Sequence, residues 1–216
     1  MNAFTARAVV VRALLAAALL TAVACTPLQV LTHSVSQDEA RVPVGRYDLD
    51  ADHCSIIFDV EHFKYSRFAM RLDRKKGQLQ WNEGGLAQSS VSVSIDAASI
   101  DTNVPLLDKM VKSASLLDVE QYPEIRFVST KFERTGDARG TLTGDLTIHG
   151  VTQPVMLDVT FNGFARDPLT KRDTLGFSAE GRFSRAKFGL ATWYPAVGDD
   201  IHVRIEAEFG RTPAGA

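Results

Sequence analysis

The sequence has little of what specialised chemistry requires. Two cysteines in 216 residues are too few for a disulfide framework, and no Cys and His cluster has the spacing of a metal site. The chain has no block of like charges, and its formal net charge of -2 lacks the basic footprint of a nucleic-acid-binding domain. Phosphate-binding loops, nucleophile elbows and HExxH motifs are also missing. We therefore predict no enzyme, no cofactor, no metal site and no nucleic-acid partner.

The first 24 residues are typical of a secretory signal peptide. They contain Arg7 and Arg12, then the run ALLAAALLTAVA, which is too short to span a bilayer comfortably, and they end on small residues. We predict export to the periplasm. Cys25 leaves two interpretations open: it is the lipidated cysteine of a bacterial lipoprotein, which would tether the protein to a membrane, or it is a free thiol after ordinary cleavage.

Residues 25–44 lack sustained periodicity and contain Pro27 and Pro43, so we predict a linker there. The remaining length is enough for one domain, which we place at residues 45–210, followed by a flexible tail at 211–216. Cys54 lies in the apolar segment HCSIIFDV, where a buried and inert thiol is expected.

The segment Gly144–Phe161 contains two runs in which alternate residues are apolar. They are Leu146 and Ile148 in the first run, and Val155, Leu157, Val159 and Phe161 in the second. A period of two predicts a β-hairpin with one buried face. We place its connection at HGVTQP, where Gly150 can adopt a positive φ and Pro154 suits the start of a strand.

Similar alternation recurs throughout the predicted domain. The other segments that carry it are YDLD, SIIFDVEH, GQLQW, SSVSVSID, EIRFVSTKF, TLGFSAEGRF and IHVRIEAEFG. About eight strands in sequence, most with one polar face, predict an all-β fold in which an antiparallel up-and-down sheet closes into a barrel. The most basic region, from Lys64 to Lys76, is interpreted as a solvated loop.

One stretch, residues 103–118, has helical periodicity instead. Its apolar residues recur at helical spacing, with Asn103 as the expected N-cap and Pro105 in the first turn. We predict a short helix across one mouth of the barrel. The interior of an eight-stranded barrel is either filled by side chains or holds one elongated ligand, and periodicity leaves both open. A wall of Phe and β-branched residues would favour an apolar guest.

Five segments, in order, carry a resemblance to a known family. They are YDLDADHCSIIFDVEH, SIDT, YPEIRFVST, LTGDLTIHGVTQPVMLDV, and SRAKFGL with VGDDIHVRIEAEF. In these segments the chain resembles the YceI-like proteins, exported bacterial lipocalin-like domains associated with polyisoprenoid binding. The resemblance implies a lipocalin-like barrel that holds a long isoprenoid chain, such as a quinone or polyprenyl phosphate, and no catalytic machinery.

From the inward phase of the strands and this family architecture we predict ten ligand-binding residues. They are Phe58, His62, Phe63, Phe68, Met110, Leu117, Phe127, Phe177, Phe188 and Trp193. The chain departs from the family pattern at Cys54, commonly Ser, at Ser66, usually Gly, and in the helix, where LLDKMVKSASLLD replaces a stretch with Arg, His and Asp-Phe-Phe. These changes could alter the cavity and its head-group recognition.

The predicted function is non-enzymatic binding or transport of an isoprenoid-type lipid, by a monomer or a homodimer. Two alternatives stay open. The first is a stress-response or interaction module with a filled barrel. The second is a lipid hydrolase or isomerase that uses His62 as a base near the mouth.

Overall fold

The computed structural model describes residues 30–213. Residues 35–165 and 172–213 form one unit, the barrel. Residues 30–34 and 166–171 belong to a second, small unit. In this second unit the Asp167 carboxylate accepts hydrogen bonds from the backbone N–H groups of Leu169 and Thr170, at 2.9 and 2.6 Å. The predicted signal peptide and Cys25 lie outside the described residues.

Eleven β-strands and one eight-residue α-helix follow from residue 45 onward. The strands are β1 (Gly45–Leu49), β2 (Ser55–His62), β3 (Ser66–Leu72), β4 (Lys75–Trp81), β5 (Ser90–Asp96), β6 (Ile100–Asp101), β7 (Glu124–Gly136), β8 (Arg139–Ile148), β9 (Val151–Arg166), β10 (Asp173–Ser184) and β11 (Val197–Arg211). The helix, α1, is Pro105–Lys112. Short 3-10 turns lie at Glu39–Arg41, Gly85–Gln88, Ala97–Ser99 and Ala186–Phe188.

The sheet closes on itself as an antiparallel barrel of eight strands, which confirms the predicted fold class. The pairing order β1-β4-β5-β7-β8-β9-β10-β11 returns to β1. The three remaining strands form a branch from this ring: β2 pairs with β11, β3 pairs with β2, and β6 pairs with β3. Closure of the ring pairs its two end strands, β1 and β11, with each other.

The two ends of the barrel differ. At the end where β1 begins and β11 finishes, a compact cluster fills the interior around Tyr47, Trp81, Phe161 and Leu175, each with 1% or less of its surface exposed. The rings of Trp81 and Phe161 lie 5.7 Å apart. We call this the closed end. The turns after β2, β6 and β10 lie at the opposite end of the ladder, which we call the open end.

The predicted hairpin is present, but its connection is shorter than expected. Ile148 pairs with Val151, so His149 and Gly150 alone form the turn, with φ values of 53° and 72°. Two consecutive positive φ angles give the turn a twist that matches the flanking strands. Pro154 lies inside β9, opposite Asp145, rather than at the start of the strand.

The predicted solvated loop from Lys64 to Lys76 was wrong. Most of it is strand, because β3 and β4 cover residues 66–72 and 75–81. In β3 the cations Arg67 and Arg71 are exposed, while Phe68, Met70 and Leu72 point inward. Arg67 and Arg71 are four residues apart and therefore lie on the same face of the strand. This spacing is compatible with a strand that has one solvated face.

The predicted helix, residues 103–118, is shorter in the structure, where it spans Pro105–Lys112. Val104 is its N-cap, and Asn103 instead takes a φ of 64° in the preceding turn, so the predicted N-cap was wrong. The link to the barrel comes from Asp108, whose carboxylate accepts hydrogen bonds from the backbone N–H and the hydroxyl of Thr102, at 2.8 and 2.7 Å. These hydrogen bonds to Thr102 lower the pKa of Asp108.

Part of the predicted linker contacts the barrel. Val42 is buried in the cluster at the closed end, and the Tyr47 hydroxyl donates to the backbone oxygen of Pro43 at 2.7 Å. The Glu39 carboxylate accepts from the backbone N–H of Leu86 at 2.9 Å and pairs with Arg134 at 2.8 Å. Residues 39–43 therefore help to cover this end. No helix among residues 30–213 has the length and apolar character needed to cross a membrane.

Candidate functional site

The interior of the barrel contains a cavity of about 670 Å³. It is enclosed by the inward faces of the strands and by the inner side of α1. The only side chains in its wall with N or O atoms, among the residues described, are His62, Ser89, Ser90, Arg185 and Trp193, and Cys54 adds a thiol. A volume between 300 and 1,000 Å³ is typical of ligand pockets, but so few polar groups are unusual, since most pockets fix orientation with several.

The cavity opens toward solvent beside α1. Phe63, Met110 and Trp193 line the cavity and are also 54%, 43% and 38% exposed, so these side chains stand at the boundary between cavity and solvent. Leu79 and Leu86 belong both to the wall and to the cluster that fills the closed end. The cavity therefore runs from the mouth at the open end to the cluster at the closed end.

Arg185 holds the loop that borders this mouth. Its guanidinium is buried and donates to four backbone oxygens of residues 190–198: Gly198 at 2.7 Å, Thr192 at 2.9 Å, Val197 at 2.8 Å, and Leu190. Burial lowers the pKa of Arg185, partly offset by the charge of Asp199. Four carbonyl dipoles around one cation fix the loop, so the mouth has a preformed border.

The sequence of this barrel matches one family over most of its length. The model of the YceI-like domain matches residues 47–209. The chain belongs to the YceI-like family. A UPF0312 protein of Pseudomonas putida is similar to it, with 34% identity over 159 residues, which make up 74% of this chain and 82% of that protein. The predicted family is thus confirmed.

Solved structures share the fold of this YceI-like chain. Burkholderia cenocepacia BcnA is similar with a TM-score of 0.67 and 21% identity, covering 74% of this chain and 98% of BcnA. A polyisoprenoid-binding domain from Saccharophagus degradans, implicated in plant cell wall breakdown, has a TM-score of 0.57 and 12% identity and covers 79% of this chain and 100% of that domain. At these identities the likeness shows the fold alone.

Nine of the ten predicted ligand-binding residues lie in the cavity wall of this YceI-like barrel. They are Phe58, His62, Phe63, Phe68, Met110, Leu117, Phe127, Phe177 and Trp193. Phe188 lies elsewhere: it is 1% exposed, packs in the core and meets the ring of Phe183 edge-on at 5.6 Å. Alternation along the strands correctly predicted which side chains face the cavity. Phe188 lies in a 3-10 turn, where alternation does not predict which way a side chain points. The binding role of the nine stays a prediction.

Sequence reasoning missed part of the wall. Met70 and Leu72 of β3 were hidden in the segment interpreted as a loop, and Leu190 and Ala196 lie in a loop without periodicity. The alternation FAMRL was the signal for the first pair. The loop sequence has no pattern that predicts which of its side chains face the cavity, because the conformation of the loop depends on its hydrogen bonds to Arg185.

Two titratable side chains of β2 and the residue before it, Asp59 and Cys54, are buried, one on the outer face of the strand and the other in the cavity wall. Cys54 is buried, as predicted; it lines the cavity, and burial raises the pKa of its thiol. Asp59 points to the outer face of β2, but it is buried beneath basic side chains. Arg67 donates to its carboxylate, and His202 and Arg204 lie 3.5 and 3.7 Å from it. This outer cluster joins β2, β3 and β11.

Catalysis and metal binding find little support in the wall. The His62 ring packs against the rings of Phe63 at 4.7 Å and Phe68 at 6.0 Å. A general base needs an orienting partner and a hydrogen-bonding route to its substrate, whereas the contacts of His62 are aromatic. Across residues 30–213, no three His, Cys, Asp or Glu side chains are arranged to hold a metal ion.

Proposed function

We propose that this protein binds a long isoprenoid-type lipid, such as a quinone or polyprenyl phosphate, in the barrel cavity without catalysing a reaction on it. The observation that carries the proposal is the almost wholly apolar cavity of about 670 Å³. A polar guest would lose its hydration there without gaining hydrogen bonds, whereas an apolar chain gains about 0.8 kcal/mol for each CH₂ removed from water.

The geometry also indicates how such a guest would lie. The closed end is filled by Tyr47, Trp81 and Phe161, so a chain that enters at the open end would lie along the barrel. Any polar head group would then remain at the mouth, near His62 and Trp193. This arrangement predicts strong dependence on chain length and weak dependence on the head group.

The alternative of a filled barrel is harder to reconcile with the cavity. A solid core packs to the density of an organic crystal and leaves few voids larger than a water molecule. The polyisoprenoid-binding domain of S. degradans has the same fold, which supports a lipid as the guest.

We also propose that the protein acts after export to the periplasm, on the basis of residues 1–24, with Cys25 as its lipid attachment site. Fractionation of cells that produce the unaltered chain and Cys25→Ser tests this proposal. We expect the unaltered chain in the membrane fraction and Cys25→Ser in the soluble periplasm. Release of both chains to the same fraction would contradict the attachment.

Native mass spectrometry of the protein from its own exported compartment, followed by organic extraction, tests the binding proposal. We expect one isoprenoid for each chain. In the emptied protein, geranylgeraniol should bind far more tightly than geraniol, because two additional isoprene units are buried. A protein that carries no lipid and takes up neither alcohol would refute the proposal.

A further inference from the structure

Three segments at the open end surround the mouth of the cavity. They are the β2–β3 turn (residues 62–66), α1 with the residue before it (104–112), and the loop 191–196; together we call them the rim. The backbone N–H of Phe63 donates to Ala196 O at 2.7 Å, which joins the turn to the loop. The Thr192 hydroxyl donates to Ser115 O at 2.9 Å, which joins the loop to the chain after α1.

The rim carries all the exposed aromatic side chains of the described chain. Phe63, Tyr65, Trp193 and Tyr194 are 54%, 91%, 38% and 65% exposed. Leu106 and Met110 add exposed aliphatic surface one helical turn apart on α1. Exposed apolar residues scattered singly need no explanation, but a set gathered around one opening marks an interaction site.

The backbone of the β2–β3 turn makes this placement more unusual. His62 pairs with Ser66, so the turn has three residues, and Phe63 and Lys64 have φ values of 49° and 60°, which are uncommon for residues other than Gly and Asn. A bulky aromatic residue at a positive φ is disfavoured sterically. The turn therefore presents Phe63 to solvent at the expense of local stability.

Positive charge lies among these apolar side chains. The rim contains Lys64, Lys109 and Lys112 but one acidic residue, Asp108, whose carboxylate is engaged by Thr102. Lys64 stands between Phe63 and Tyr65 in the turn. Lys64 and Lys109 are exposed, and neither forms an ion pair with another of the described residues.

We propose that the rim is a docking surface for an anionic lipid bilayer. Aromatic residues with a polar tip and lysines around aliphatic side chains are the composition that favours the membrane interface. Docking would join the apolar interior of the bilayer to the cavity, because Phe63, Met110 and Trp193 belong to both rim and cavity wall. A guest insoluble in water could then pass between them without crossing water. The purpose of docking rests on the proposed lipid-binding function.

Vesicle co-sedimentation of the exported chain tests the docking, with Cys25→Ser as the background of every variant so that no acyl chain contributes. The test variant is Leu106→Asp, and the matched control is Met156→Asp on the outer face of β9; the two side chains are 69% and 65% exposed and neither lines the cavity. On vesicles of phosphatidylethanolamine and phosphatidylglycerol we expect Leu106→Asp to lower binding roughly tenfold or more and Met156→Asp to change it little.

Replacement of phosphatidylglycerol by phosphatidylcholine tests the role of charge. Lys64→Gln and Lys109→Gln should each weaken binding to the anionic vesicles about fivefold and leave binding to the neutral vesicles unchanged. Failure of the parent chain to bind anionic vesicles, or equal losses from Leu106→Asp and Met156→Asp, would overturn the proposal.

Two further measurements separate the alternatives. Sedimentation velocity tests whether a second copy covers the rim: a dimer that Leu106→Asp converts to a monomer, with vesicle binding unchanged, would overturn membrane docking. Native mass spectrometry with geranylgeraniol tests the cavity independently, because Leu106 does not line it. Uptake of the alcohol without vesicle binding refutes docking alone, whereas vesicle binding without uptake refutes the lipid-binding function and leaves the membrane surface.

Discussion

A larger side chain in the cavity wall should weaken ligand binding without lowering the free energy of unfolding. Ala179 lies in the middle of β10, opposite Ile205 of β11, and its side chain faces the cavity. Substitution Ala179→Phe adds a six-carbon ring to a wall position where the interior is empty. The space it takes is close to that of one isoprene unit, which has five carbons.

The two expected effects differ strongly in size. Loss of one buried isoprene unit at about 0.8 kcal/mol for each carbon weakens binding by about 4 kcal/mol, or roughly a thousandfold in Kd. The free energy of unfolding of the empty protein should stay the same or rise by about 1 kcal/mol, because the ring enters existing space and gains contacts there.

Titration with geranylgeraniol and urea unfolding of the emptied protein measure the two effects. Met156→Phe, on the solvent side of β9, controls for the added ring and should change neither. A fall in stability of several kcal/mol for Ala179→Phe would show that the space does not exist. Unchanged affinity with unchanged stability would show that the guest lies elsewhere.

Three smaller predictions follow from individual residues. Gly144→Ala should lower the free energy of unfolding, measured in urea, by about 1–3 kcal/mol, because the added Cβ would lie 2.3 Å from the Phe127 ring and 2.7 Å from a backbone oxygen. Gly136→Ala is the control and should leave the free energy of unfolding unchanged, because its Cβ would lie 3.7 Å from the nearest side-chain atom. Burial raises the pKa of Tyr47 from 10.0 to about 12, so the folded state favours the neutral phenol; stability should fall as the pH rises from 10 to 12, and Tyr47→Phe should remove that fall. Alkylation of Cys54 by iodoacetamide at pH 8 should be slower than that of a free thiol and slower still with geranylgeraniol bound, and equal rates would contradict its place in the wall.

The wall of the cavity was predictable wherever a strand alternates. In Val91, Val93 and Ile95 of β5, or Val203, Ile205 and Ala207 of β11, a period of two determines which side chains point inward, and the structure places these in the wall. The prediction was incomplete where charge masked the same pattern, as at Met70 and Leu72 of β3, and where no period exists, as at Phe188 and at Leu190 in the loop that Arg185 holds.

The sequence by itself determined the all-β class, the antiparallel order and the apolar character of the interior, because local alternation encodes which face of each strand avoids water. The tertiary structure alone decided that the interior contains a cavity and is not a filled core, since that depends on how eight curved faces meet at a distance. It also decided that three segments far apart in sequence form one apolar and basic rim, because β2, α1 and β11 come together only when the barrel closes.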